Sequence, residues 1–307
     1  MSLRAGILGI SPGNGHPFSF SAIANGYDDA AMADAGWPVI HAYLRRRDAS
    51  EFGGLGLQVT HAWTQDPDVT QRLCRACRIP HAVESPDALI GQVDAVILAR
   101  DDHAQHAAMA LPFLEAGVPT FIDKPLTLEP AQLDAFRPYL ESGLLMSCAG
   151  MRYARELDEP RAELGAYGEL RLIRGAILND WERYGIHLVD AVLNLTPARP
   201  VAVTPLASRH ESLAITLDDG TLFQLDALGD VGPCFRLDLF GSARNSSHEI
   251  RDNFSMFRRL LYHFARSVRD GRPAIPPADT VAAVTLLIAG RRALAEERTV
   301  SIDDPTL

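Results

Sequence analysis

A chain of 307 residues, 47% of them apolar and 22% charged, is long enough for two globular domains and too mixed for a fibrous or low-complexity protein. Its formal charge of −10 argues against nucleic acid or an anionic membrane as a main partner. The longest apolar stretch, Val281 to Gly290, falls short of the roughly 18 residues that span a bilayer.

Met1-Ser2-Leu3-Arg4 leads straight into an apolar strand, so no signal peptide is expected. Four cysteines do not make a disulfide framework, and reduced thiols fit a cytoplasmic protein. Cys74 and Cys77 form a C-x-x-C in a helical stretch. No second pair completes a metal set, so structural thiols and no metal site are expected.

Arg4 to Ile10 reads as a buried strand, and Ser11 to Pro17 as a tight glycine-rich turn. A strand, a glycine-rich turn and a helix begin many dinucleotide sites, but the G-x-G-x-x-G spacing is broken. Counted from Gly9, Ser11 and Asn14 stand where glycines belong; counted from Gly13, Gly15 fits and Phe18 does not. An ordinary turn is the alternative. Phe18 to Gly56 reads as a helix plus an insertion, with a further helix over Val39 to Arg47 whose three arginines form a solvated end, a phosphate contact being the alternative. Leu57 to Trp63 is the second strand. An acid for a ribose hydroxyl is expected after it, but Thr64-Gln65 stands there, and Asp66 suits a helix N-cap.

The next units are regular. Helix Asp68 to Arg78, a short strand or turn at Ile79 to Ala82, a short helix Pro86 to Ile90 and the buried strand Val93 to Ala99 follow in order. Then come Arg100-Asp101-Asp102-His103, a helix from Ala104 to Ala116 stopped by Gly117, and the strand Val118 to Ile122. Leu126 to Glu141 is a helix, and Leu144 to Cys148 a sixth strand. The alternation predicts an α/β doubly wound parallel sheet of Rossmann type over 1–149. Asp123-Lys124-Pro125 closes the fifth strand, and the carboxyl ends of such strands are where open sheets bind ligands.

Past residue 150 the pattern changes to strands at Leu170 to Leu178, Leu213 to Leu217, Leu222 to Leu228 and Arg236 to Phe240. Asp218-Asp219-Gly220 is a hairpin turn, and helices are expected at Gly185 to Asn194, Phe254 to Asp270 and Asp279 to Ala295. This predicts an α+β domain over 150–307 with a mostly antiparallel sheet.

Val93-Asp94-Ala95-Val96, His106, Leu114-Glu115-Ala116-Gly117 and Asp123-Lys124-Pro125 resemble, in order, the glucose-fructose oxidoreductase, inositol dehydrogenase and rhizopine catabolism (Gfo/Idh/MocA) family. Met151-Arg152-Tyr153, Gly165 to Leu170 and Gly185 to Asp190 extend the resemblance over most of the chain. It implies an NAD(P)-dependent oxidoreductase that moves a hydride between nicotinamide and a hydroxyl or keto carbon of a sugar, cyclitol or nucleotide sugar. Lys124 would polarise the reacting oxygen and His187 act as acid–base, with Tyr184 or Asp190 orienting the imidazole. The resemblance implies cofactor contacts at Gly9, Ser11, Gly13, Asn14, Gly15, His16, Thr64, Asp101, Asp123 and Lys124. Substrate contacts are implied at Lys124, Arg152, Arg183 and His187. NAD is favoured over NADP, and a homodimer or homotetramer through the C-terminal sheet is expected. Three departures stand out. The glycine loop is altered, Asp101-Asp102-His103 replaces the family's Thr-Pro-Asn, and Arg183 holds a position where many members carry an Asp. They motivate an alternative reading, a sensor that binds without turnover.

Overall fold

The apolar runs of the first half are buried strands that all run in one direction. In the computed structural model, which describes residues 2–305 and 307, β1 (Leu3–Leu8) is followed by α1 (His16–Asn25), α2 (Asp29–Ala33) and α3 (Pro38–Leu44). Next come β2 (Leu57–Trp63), α4 (Pro67–Ala76), β3 (His81–Ala82), β4 (Ala95–Leu98), α5 (His106–Glu115), β5 (Thr120–Ile122), α6 (Pro130–Ser142) and β6 (Leu145–Ser147). Strand order is β3-β2-β1-β4-β5-β6 with every pair parallel. The order reverses beside β1, so the loops after β1 and β4 flank the crevice in which such sheets bind ligands.

The predicted boundaries hold in most of this half. Asp66 caps α4, accepting the Asp68 N–H at 2.8 Å, and Gly117 ends α5 at φ 74°. Cys74 and Cys77 are free thiols; burial pushes Cys77 well above its ordinary value and Cys74 to about 11. α6 starts later than Leu126. The Thr127 hydroxyl accepts the Glu129 N–H at 3.0 Å, and Pro130 opens the helix, its missing N–H costing nothing there.

In the second half the structure has α7 (Asp158–Ala162), β7 (Leu170–Ile177), α8 (Ile186–Leu193), β8 (Pro200–Pro205), β9 (Glu211–Leu217), β10 (Leu222–Ala227), β11 (Phe235–Gly241) and β12 (Asn245–Glu249). α9 (Asn253–Asp270), α10 (Pro277–Glu296) and β13 (Val300–Ser301) complete it. The sheet order is β12-β11-β7-β10-β9-β8-β13, antiparallel except for the parallel pair β7–β10. One inward row, Leu239–Ile173–Phe223–Ile215–Val203–Val300, crosses six strands and is buried throughout. The hairpin turn is as expected, with Gly220 at φ 85° and its N–H on the Leu217 carbonyl. β8, β12 and β13 were not anticipated.

Compactness divides the chain into two units. The first comprises the chain to Leu126, Asp134–Cys148 and Asn253–Pro277; the second comprises Thr127–Leu133, Ala149–Asp252 and Ala278–Leu307. The helix expected near Phe254, within the 150–307 block, therefore packs in the first unit. Its buried face explains this: the Phe257 ring lies 5.2 Å from that of Phe20, and Phe264 lies 5.9 Å from Phe121. No helix among the described residues is long and apolar enough to cross a membrane.

Candidate active site

In the first unit three loops converge at the carboxyl edge of the parallel sheet. After β1, Gly9 takes φ 74°, and a Cβ there would stand 2.5 Å from Arg100 Cδ, so the turn needs a glycine. Ser11-Pro12-Gly13-Asn14 follows as a type II turn, with Pro12 second, Gly13 at φ 79° third and the Asn14 N–H on the Ser11 carbonyl at 3.1 Å. The Ser11 hydroxyl donates to Asp101 Oδ1 at 2.5 Å, and Lys124 Nζ lies 3.4 Å from Asp101 Oδ2. Asp101 thus joins the loops after β1, β4 and β5 around the lysine, which is 4% exposed.

A second set of contacts centres on Asp123, which is 2% exposed. Asn14 Nδ2 donates to its Oδ2 at 3.0 Å, His16 Nδ1 lies 2.5 Å from the same oxygen, and the Lys124 N–H reaches Oδ1 at 2.9 Å. Burial pushes the Asp123 carboxyl up, but His16, Lys124 and Asn14 outweigh it and hold it below the usual carboxylate range. His106 is also buried, with Nδ1 2.9 Å from the Leu126 carbonyl and Nε2 3.0 Å from that of Arg100. Burial lowers its pKa, against the two backbone carbonyls that favour the charged ring.

Of the expected cofactor residues, the structure brings together Ser11, Asn14, His16, Asp101, Asp123 and Lys124. Thr64 stands apart: its N–H donates to Thr70 Oγ1 at 2.9 Å and its hydroxyl to the Asp66 carbonyl at 2.7 Å. Gln65 was seen only as a missing acid. Its amide grips Ile10 at both ends, accepting the N–H at 3.1 Å and donating to the carbonyl at 2.7 Å. A polar side chain of amide length facing a glycine-rich turn was the available signal. Gly13 faces open space, since a Cβ there would meet no heavy atom within 4 Å.

In the second unit, Trp181–Gly185 forms one π-helical turn that runs into α8. Asp180 caps it through the Arg183 N–H at 2.9 Å. The His187 ring lies 5.5 Å from Tyr184 and 6.2 Å from Phe235, centroid to centroid, so an aromatic wall surrounds the imidazole. Asp190 does not orient it. Asp190 Oδ1 accepts from Arg152 at 2.8 Å and Oδ2 from the Ala149 N–H at 2.7 Å.

Arg152, expected at the substrate, spends its guanidinium on the interior. It is 3% exposed, and it also donates to Asp279 Oδ2 at 2.6 Å, whose other oxygen accepts from Arg199 at 2.7 Å. Burial works against its charge, but Asp190 and Asp279 outweigh it and raise the pKa. Arg183 is exposed.

Residues 34–142 match the model of an oxidoreductase family described as having an NAD-binding Rossmann fold. Two curated relatives are 29% identical: an oxidoreductase of Salmonella typhimurium over 45% of this chain and 48% of its own length, and the UDP-N-acetylglucosamine 3-dehydrogenase of Acidithiobacillus ferrooxidans over 63% and 66%. The chain thus spans 48% and 66% of the length of these relatives. Among solved structures, myo-inositol 2-dehydrogenase from Lactobacillus plantarum superposes with a TM-score of 0.77 at 16% identity, covering 99% of this chain and 100% of that one. The scyllo-inositol dehydrogenase of Lactobacillus casei, solved with NAD(H) and scyllo-inositol, gives 0.76 at 14%, covering 98% and 99%. These likenesses establish the fold. The family match thus spans β2 through α6 and takes in Asp123-Lys124-Pro125 at the carboxyl end of β5.

Proposed function

We propose that the chain is an NAD(P)-dependent dehydrogenase acting on a CH–OH group of a sugar, cyclitol or nucleotide sugar. The observation that carries this is the buried Lys124 at the carboxyl edge of a Rossmann sheet, its ammonium 3.4 Å from Asp101 in the loop across the crevice. Nicotinamide, when bound, supplies the hydride acceptor. Lys124 donates to the reacting oxygen and stabilises the negative charge that develops as the hydroxyl proton leaves. His187 takes that proton, with Tyr184 beside its ring limiting the imidazole's orientation. Exposed Arg183 offers a cation to an anionic substrate group.

NAD is the favoured cofactor. The family model is described as NAD-binding, and the Lactobacillus casei structure holds NAD(H). The relatives' names set the substrate panel: UDP-N-acetylglucosamine, myo-inositol and scyllo-inositol. The test is formation of reduced nicotinamide with each substrate and with NAD or NADP. Lys124→Ala is expected to lower kcat by about 10²-fold or more while cofactor still binds. Turnover equal to wild type would refute the assignment.

The outer face of the second sheet supports the expected homodimer or homotetramer. Phe240, Leu172, Leu222, Thr216 and Ala202 stand in register as a continuous row, with Phe240 and Leu222 exposed. A light-scattering mass of one chain would contradict the assembly.

A further inference from the structure

Dinucleotide sites of this fold hold the diphosphate on the free N–H groups of the helix that follows β1. Here that helix end is closed. The His16 N–H donates to Asn14 Oδ1 at 2.9 Å, Pro17 has none, and the Phe18 and Ser19 N–H groups both go to the Gly15 carbonyl at 3.0 and 3.1 Å. The N–H groups of His16, Phe18 and Ser19 are therefore engaged within the chain, as is that of Asn14, which closes the Ser11–Asn14 turn.

What stands at this position instead is a side chain. His16 is the first residue of α1, and its side chain is 19% exposed while that of Asp123 beneath it is 2% exposed. Nδ1 is engaged by Asp123, so Nε2 is the atom left to face a ligand; no protein group pairs with it among the described residues. The ring is fixed by stacking on Phe20 at 4.9 Å and by the Phe257 edge at 4.9 Å. The charged group it meets is Asp123, whose carboxylate Lys124, the next residue along, also stabilises. When the ring carries both protons, Nδ1 donates to the Asp123 carboxylate and Nε2 is a charge-assisted donor to an anion.

We infer that His16, braced by Asp123, is the diphosphate-binding group of this nucleotide loop and replaces the backbone donors that the helix end has lost. The inference rests on the reading of the first unit as a dinucleotide site, and it predicts where that site puts its affinity. The geometry also accounts for the broken glycine spacing. A loop that binds phosphate through a side chain does not need the close backbone approach that the usual second and third glycines allow.

The test is calorimetric titration of the full chain with NAD and with ADP-ribose, and ligand-detected NMR with adenosine, which has no phosphate. His16→Gln keeps a donor for Asp123 but cannot carry charge. His16→Ala with Asp123→Asn removes the pair without leaving a buried carboxylate alone. Both variants should melt as cooperatively as wild type. NAD and ADP-ribose binding should weaken about 10- to 100-fold, the range of a charge-assisted hydrogen bond, with adenosine unaffected. Unchanged NAD binding in folded variants overturns the inference, as does an equal loss for adenosine. Failure of wild type to bind any dinucleotide overturns the underlying reading instead.

Discussion

Replacing Arg152 with Ala separates a substrate-binding arginine from a structural one. In the structure its two terminal nitrogens hold Asp190 at 2.8 Å and Asp279 at 2.6 Å, and all three side chains are buried. Removing the cation leaves Asp190 with only the Ala149 N–H and Asp279 with only Arg199. Breaking a buried ion pair from one side costs about 3–5 kcal/mol, because the orphaned carboxylate cannot regain its hydration. For a unit of this size that is a drop of about 6–20 °C in Tm. Urea unfolding followed by tryptophan fluorescence is the assay, with Trp181 buried in the same unit as a reporter. Arg152→Met with Asp190→Asn and Asp279→Asn should recover most of the loss, since it removes the charges together. A fully stable Arg152→Ala whose only defect is a raised KM would refute this account and return the residue to the substrate.

Two further outcomes follow from the same physics. Asp123 has a folded pKa below its unfolded value of about 4, so its contribution to stability is present above that pH and is lost as pH falls through the folded value. The difference in urea midpoint between wild type and Asp123→Asn should therefore shrink below about pH 4; a difference constant from neutral pH downward would contradict the pairing. Gly290→Ala should destabilise although alanine is the better helix former by about 1 kcal/mol. The new Cβ would stand 2.5 Å from the buried Trp181 ring, which is pinned by its Nε1 donating to the Leu287 carbonyl at 2.9 Å, and overpacking of this kind costs about 1–3 kcal/mol. A raised Tm would show that the ring can move.

Much of the fold was legible because its signals are local. The parallel strands are short apolar runs between helices, so β2 was placed at its observed residues and β4 and β5 to within three. Lys124 stands out for the same reason, as a charged residue directly after a buried strand. β12, Asn245–Glu249, was missed because it is a polar strand at the sheet edge with no alternation to detect. Arg152 was misread because a sequence shows a charge without its partners, here 38 and 127 residues away.

The sequence by itself determined the order of strands and helices, the change from a parallel to a mostly antiparallel architecture and the Asp123-Lys124-Pro125 run that closes the fifth strand. Those features depend on periodicity and on near neighbours in the chain. Tertiary structure alone decided which polar side chains turn into the interior and which gather at the carboxyl edge of the sheet. Thr64, Asp190 and Arg152 turned inward, while Asp101 and His16 gathered at the mouth of the sheet. Burial and pairing set that division, and both depend on residues that only folding brings within a few ångströms of one another.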